Sequence, residues 1–156
     1  TSLMIALLGK LSGVDQKVLM LDTFAGMPDP SSYDLYRTGG ELAPPQGQIE
    51  ALRRQIATLG LEERVEVHQG LFAETFARFR DRPLQFSFVH IDANIYQSTL
   101  EACEFTIPRV APGGAVIFDD YNALCDLGAR LAIDKCLSDC AAKPAPLAEC
   151  SAYLTL

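Results

Sequence analysis

The sequence predicts an α/β sandwich whose strands are largely parallel. Short apolar runs with strand character alternate with amphipathic helical stretches, from KVLMLD at 17–22 to SAYLTL at 151–156. Asp22, Gly70, Asp92, Asp119 and Asp120 all fall at the ends of predicted strands. Open α/β sheets bind ligands outside the carboxyl ends of their strands, so this coincidence marks the functional edge. A length of 156 residues with 49% hydrophobic content fits a single domain over 1–156 with a sizeable core.

Taken in order, residues 2–11 (SLMIALLGKL) carry apolar groups at helical spacing, and Gly13 follows as a stop signal. The run 17–22 reads as a short buried strand, broken into a loop by Gly26 and Pro28. Residues 29–47 are rich in Pro, Gly, Ser and Tyr and show neither period. An irregular stretch of that length inside a compact domain is expected to be a lid or binding loop, or to be disordered.

An amphipathic helix over 48–59 closes at Gly60, and RVEVHQG (64–70) alternates as a strand running into Gly70. A short helix over 73–80 leads to the strand FSFVHID (86–92), then to a helix over 99–110. GGAVIFDDY (113–121) forms the next strand, followed by a helix over 127–141 and a last strand near 151–156. The sequence shows no internal repeat and no low-complexity tract.

Charge narrows the partners. With 13 basic against 20 acidic residues the net charge is −7, which opposes binding to nucleic acid or to an anionic membrane surface. No apolar run approaches the roughly 20 residues of a membrane helix, and the first residues lack a signal peptide's cationic start. A soluble, cytoplasmic protein is the expectation. The five cysteines are odd in number and contain no CxxC pair, so they read as small packing groups rather than as a zinc site or a disulfide framework.

The residues that could carry chemistry follow from the strand ends. Asp22 can accept hydrogen bonds from both hydroxyls of a ribose, or it can serve as a turn or capping residue. Asp92, Asp119 and Asp120 bring three carboxylates from strand ends expected to be neighbours. Carboxylate oxygens suit Mg²⁺, and crowded like charges are costly unless a cation offsets them. The same Asp119 and Asp120 pair could also be a loop cap. His90 lies two residues before Asp92 on the same strand face, either as a core histidine bonded to backbone or as a catalytic one. Ser98 or Thr99 is expected to cap the next helix.

Three segments together resemble the macrocin O-methyltransferase family, whose members methylate deoxysugar hydroxyls in macrolide and related antibiotic pathways. They are LDTFAGMPDP at 21–30, HIDANIYQST at 90–99, and GGAVIFDDYNALCDLGARLAIDKCL at 113–137, with QGLFAETF at 69–76 as a weaker match. Order and spacing hold from Thr1 to about Leu137. The resemblance implies the Rossmann-like class I methyltransferase sandwich, lacking its first strand in this chain. It also implies S-adenosylmethionine as cofactor and Mg²⁺ as metal. By the same resemblance Asp22 would hold the ribose, Gly70, Leu71 and Phe72 would lie near the adenine, and Asp92, Asp119 and Asp120 would bind the metal.

The chain departs from the family pattern twice. Asn94 stands where the family has a second signature aspartate, and the glycine-rich cofactor turn would precede Thr1. The chemistry implied is methyl transfer to a hydroxyl of a small-molecule acceptor, with Asp92 as first candidate for the base and His90 as second. Two alternatives remain at this stage: a catechol-type O-methyltransferase, and a truncated relative that binds a partner without activity. Acceptor identity and oligomeric state, a homo-oligomer included, are left open by the sequence.

Overall fold

The structure is a computed structural model that describes residues 1–140 and 143–156. It opens with helix α1 (Ser2–Leu11) and strand β1 (Val18–Asp22), then crosses the irregular segment to helix α2 (Gln48–Thr58) and strand β2 (Val65–Gln69). A short helix α3 (Phe72–Ala77) leads to β3 (Phe86–Ile91), α4 (Tyr96–Thr106) and β4 (Val110–Phe118). Helix α5 (Leu127–Cys136) and the strands β5 (Ala145–Pro146) and β6 (Ala152–Thr155) complete the described elements.

The predicted alternation of strand and helix is present, and the α/β class stands. β1 pairs β2 in parallel, and β3 pairs β4 in parallel. β6 runs antiparallel to both β4 and β5, so the larger sheet is mixed, in the order β3-β4-β6-β5. Between the first two paired positions of β3 and β4 the register slips, from Phe86 opposite Val110 to Phe88 opposite Ala115. The surplus residues of β4 bulge out at Gly113, whose φ of +79° suits a residue without Cβ.

Local differences from the sequence expectations have local causes. Helix α4 starts at Tyr96, so Ser98 and Thr99 lie inside its first turns and neither caps it. Thr99 is buried, and its hydroxyl has no hydrogen-bond partner. The helix predicted to reach Val110 ends at Thr106, where Pro108 turns the chain through a 3-10 turn at Ile107–Arg109. β4 accordingly begins at Val110 rather than Gly113. Helix α5 stops at Cys136, short of the predicted 141, a position outside the described residues.

Packing gives two cores. The larger lies between the β3-β4-β6 sheet and helices α4 and α5, and includes Val116, Phe118, Cys103, Ile133 and Leu154, each at most 2% exposed. Alternate residues of β4, Gly114, Val116 and Phe118, point into it, as the period of a strand requires. The smaller core joins Ala6 of α1, Ile56 of α2, Leu61 of the turn that follows α2, and Val65 of β2. Between β1 and β3, which do not pair, lies a cavity of about 620 Å³ lined by residues of both strands and by Phe72, Phe76 and Phe105. No described helix is long and apolar enough to cross a membrane.

Candidate functional site

Parallel pairing brings the carboxyl ends of the strands to a common edge, and the site forms there. β1 and β2 end together, with Asp22 opposite Gln69 and the Gly70 amide donating to Asp22 O at 3.0 Å. Gly70 has a φ of +138°, a conformation that only glycine adopts without strain, so the sharp exit from β2 into α3 depends on it. Asp22 Oδ1 accepts the Phe24 amide at 2.7 Å, closing a tight turn in which Phe24 has a φ of +51°. The turn role and the ligand role of Asp22 are therefore compatible, because one oxygen closes the turn while the residue lines a pocket.

That pocket, about 220 Å³, is walled by Asp22, Gly70, Leu71 and Phe72 on one side and by Asp92, Ala93 and Asn94 on the other. Gly26, Met27, Pro28 and Leu42 of the irregular segment close it, and Ser98 contributes from α4. All four residues proposed for the cofactor thus meet in one cavity with Asp92. Met27 and Leu42 are not marked by the sequence, which offers no local signal for a loop residue folding back over a strand end, and Ser98, expected there as a helix cap, lines the pocket instead.

Beside the pocket, β3 and β4 place their own acidic residues. The Asp119 amide donates to Ile91 O at 2.9 Å, so the two strand ends are in register. His90, Asp92 and Asp119 each offer a ligand atom, and these atoms lie within 4.8 Å of one another. His90 Nε2 is 3.5 Å from Asp119 Oδ1, which also accepts the Ser151 hydroxyl at 3.1 Å. Two carboxylates and an imidazole at such spacing can surround one cation.

Asp120 is placed differently. Its Oδ2 accepts the Asn94 backbone amide at 3.0 Å and its Oδ1 the Asn94 side-chain amide at 3.3 Å. Its carboxylate belongs to this bracket, and it lies outside the group formed by His90, Asp92 and Asp119. Asn94 has a φ of +57°, a left-handed conformation that asparagine tolerates better than most residues. The departure from the family's aspartate therefore has a physical consequence: an amide here donates to Asp120, which a second carboxylate could not do.

The electrostatics match this crowding. Burial, partly offset by the Asn94 amide, pushes the Asp120 carboxyl up to about 6, with Asp92, Asp126 and Asp119 adding in the same direction as burial. Asp92 is also raised, first by burial and then by the Asp119 charge, while His90 acts against both. A cation at the cluster would offset this repulsion.

The macrocin-O-methyltransferase (TylF) family matches residues 1–139 of the chain. A Streptomyces olivaceus protein, 8-demethyl-8-(2,3-dimethoxy-alpha-L-rhamnosyl)-tetracenomycin-C 4'-O-methyltransferase, is 32% identical over 114 residues, covering 68% of this chain and 42% of that protein. Among solved structures, CalS11, a calicheamicin methyltransferase, superposes with a TM-score of 0.84 at 22% identity, covering 97% of this chain and 65% of its own. The O-methyltransferase NovP gives 0.83 at 24% identity, covering 99% and 66%. At these identities the likeness of the solved structures speaks for the fold. The chain spans less than half the length of the Streptomyces relative and about two thirds of the two solved structures.

Proposed function

The chain belongs to the macrocin-O-methyltransferase (TylF) family, and from that premise we propose that it serves S-adenosylmethionine-dependent O-methylation of a sugar hydroxyl in natural-product biosynthesis. The observation that carries the reading is the meeting of Asp22, Gly70, Leu71, Phe72 and Asp92 around one pocket, directly beside the cluster of His90, Asp92 and Asp119. The edge proposed for the cofactor would then lie beside the cluster proposed for the cation, an arrangement that suits methyl transfer to a metal-held hydroxyl. The sugar as acceptor class rests on the Streptomyces relative, whose name describes methylation of a rhamnosyl derivative.

Asp22 would accept hydrogen bonds from the ribose of the cofactor, and Phe72 and Leu71 would supply the apolar wall beside the adenine. Asp92 and Asp119 would hold the divalent cation, Mg²⁺ by its preference for carboxylate oxygen, with His90 next to them. Bound there, the cation would lower the pKa of an acceptor hydroxyl and fix its position. Asp120 contributes charge from behind, because its oxygens are engaged by Asn94.

Asp92 takes the hydroxyl proton. Its side chain lines the pocket and belongs to the cluster, which puts a carboxylate oxygen where the acceptor hydroxyl would sit. His90, on the same strand two residues earlier, is the second candidate for that proton. The walls of the pocket hold the reacting groups in line, and alignment supplies much of the acceleration in such a transfer.

The test is transfer of a labelled methyl group from S-adenosylmethionine to rhamnosylated natural products in the presence of Mg²⁺. The reading expects incorporation that EDTA abolishes and that Asp92→Asn lowers by about 10²-fold or more at saturating Mg²⁺. Incorporation unaffected by EDTA would remove the cation from the mechanism, and wild-type rates for Asp92→Asn would remove Asp92 as base.

A further inference from the structure

The irregular segment after β1 closes the pocket, and its attachment is unusual for a loop. Asp34 is only 6% exposed. Its Oδ2 accepts the amide and the hydroxyl of Ser31, at 2.8 and 2.7 Å. Its Oδ1 accepts the amide of Tyr96, the first residue of α4, at 2.8 Å. A Cβ at Gly128, in the first turn of α5, would overlap this same carboxylate. The Asp34 carboxylate therefore sits between the N-termini of α4 and α5, where unsatisfied amides and helix dipoles favour a negative charge. It does for α4 what Ser98 and Thr99 do not.

Three residues on, Arg37 reaches the N-cap of α5. Its Nε and Nη2 donate to Asp126 Oδ1 and Oδ2 at 2.5 and 2.8 Å, a bidentate pair with Asp126 only 2% exposed. Tyr33 packs on Tyr96 with ring centroids 4.4 Å apart and the planes tilted by 31°. The anchored stretch is tied in turn to the pocket wall. Met27 donates to Glu41 O at 2.8 Å, and Gly40 donates to Met27 O at 2.9 Å.

From these contacts we propose that Asp34 and Arg37 are positioning residues: they latch residues 31–41 onto the N-termini of α4 and α5, and so fix the wall formed by Gly26, Met27 and Pro28 against Asp92 and Asn94. The inference rests on the methyl-transfer reading for what the wall faces, but the latch itself is independent of it. Opening this stretch would take Arg37 away from the nearly buried Asp126 and leave the Tyr96 amide at the start of α4 without its acceptor, both costly. The segment is therefore a fixed wall over 26–41. The side chains of 42–47 are mostly exposed, and this part of the segment carries none of the latch contacts.

Two variants open the latch from opposite sides. Arg37→Gln removes the bidentate pair, and Gly128→Ala expels the Asp34 carboxylate while favouring helix at its own position. Chymotryptic cleavage after Tyr33, Leu35 or Tyr36, whose side chains are exposed, reads the attachment without any ligand. Both variants should be cut at these sites at least tenfold faster than wild type, with Arg37→Lys between them. Their S-adenosylhomocysteine Kd, measured well below the melting temperature, should rise about tenfold. Equal cleavage rates in wild type and both variants would overturn the latch. Faster cleavage with unchanged Kd would overturn its positioning role, since a purely structural anchor predicts that result. A wild type that binds no S-adenosylhomocysteine, beside variants that are cut faster, would overturn the methyl-transfer reading and leave the latch standing.

Discussion

The two halves of the chain are built to different standards of burial, and the site draws on both. In the half formed by β3 to β6 with α4 and α5, alternate residues of β4 and β6 are buried and the sheet packs against two helices. In the half formed by α1, β1, α2 and β2, no residue of β1 is fully buried, and one edge of that strand faces the cavity toward β3. The acidic cluster stands on the well-packed half. Asp22 and Gly70 stand at the strand ends of the other, while Phe72, proposed beside the adenine, packs against the larger core. A rigid sheet suits groups that must converge on one small cation. A ribose or adenine contact, spread over several residues, tolerates a looser frame.

The two halves should answer differently to truncation of a large side chain. Phe118→Ala, in the larger core and fully buried, should cost about 3–5 kcal/mol in denaturant unfolding. Phe88→Ala, 38% exposed on the free edge of β3, should cost about 1 kcal/mol or less. Similar losses would mean that the edge beside the cavity is packed as tightly as the core, against the contrast drawn above.

A cation should stabilise the acidic half specifically. At a concentration near 100 times its Kd, Mg²⁺ should add about 2.7 kcal/mol of stability, read as a rise of several degrees in Tm. Asp119→Asn, which keeps the shape and removes a charge, should lose most of that rise, whereas Asp22→Ala should keep it. A full rise with Asp119→Asn would take the cation away from the β3–β4 edge.

A smaller effect comes from pH. Because the Asp120 carboxyl is raised to about 6 from 3.8, the folded protein binds more protons than the unfolded chain between those values. The contribution of Asp120 to stability is therefore fully present at lower pH and is lost as pH rises through about 4 to 6. Asp92, also raised, adds in the same direction. Carboxylates lowered by partners, such as Glu66 beside Arg82, give the opposite slope, so the difference between wild type and Asp120→Asn isolates the effect. Thermal unfolding without divalent metal should show Asp120→Asn gaining stability relative to wild type as pH rises through this window, and parallel curves would show that Asp120 titrates normally.

What the sequence disclosed and what it hid follow from sequence separation. A strand and the turn that ends it are local, so Asp22, Gly70, Asp92 and Asp119 could be placed at one edge from periodicity and turn residues alone. The bracket between Asn94 and Asp120 joins residues 26 apart, and the bond from Ser151 to Asp119 joins residues 32 apart. Neither leaves a local trace. The misplaced cap on α4 has the same origin, because the acceptor for the Tyr96 amide is Asp34, 62 residues earlier. The segment 29–47 reads as irregular, and it is irregular; its anchorage is invisible because each bond runs to a helix that forms much later in the chain. β5, two residues long, is too short for any period to announce it.

The central claim is that the edge shared by the two halves binds the methyl donor, with Asp22 at its ribose. Calorimetric titration of the chain with S-adenosylhomocysteine tests it most directly, run for wild type and for Asp22→Ala. The account predicts saturable binding by the wild type and a loss of about 1.5–3 kcal/mol in the variant, the range for hydrogen bonds to a charged group. Binding of equal strength by both proteins would contradict the assignment of Asp22, and no binding by the wild type would contradict the site itself.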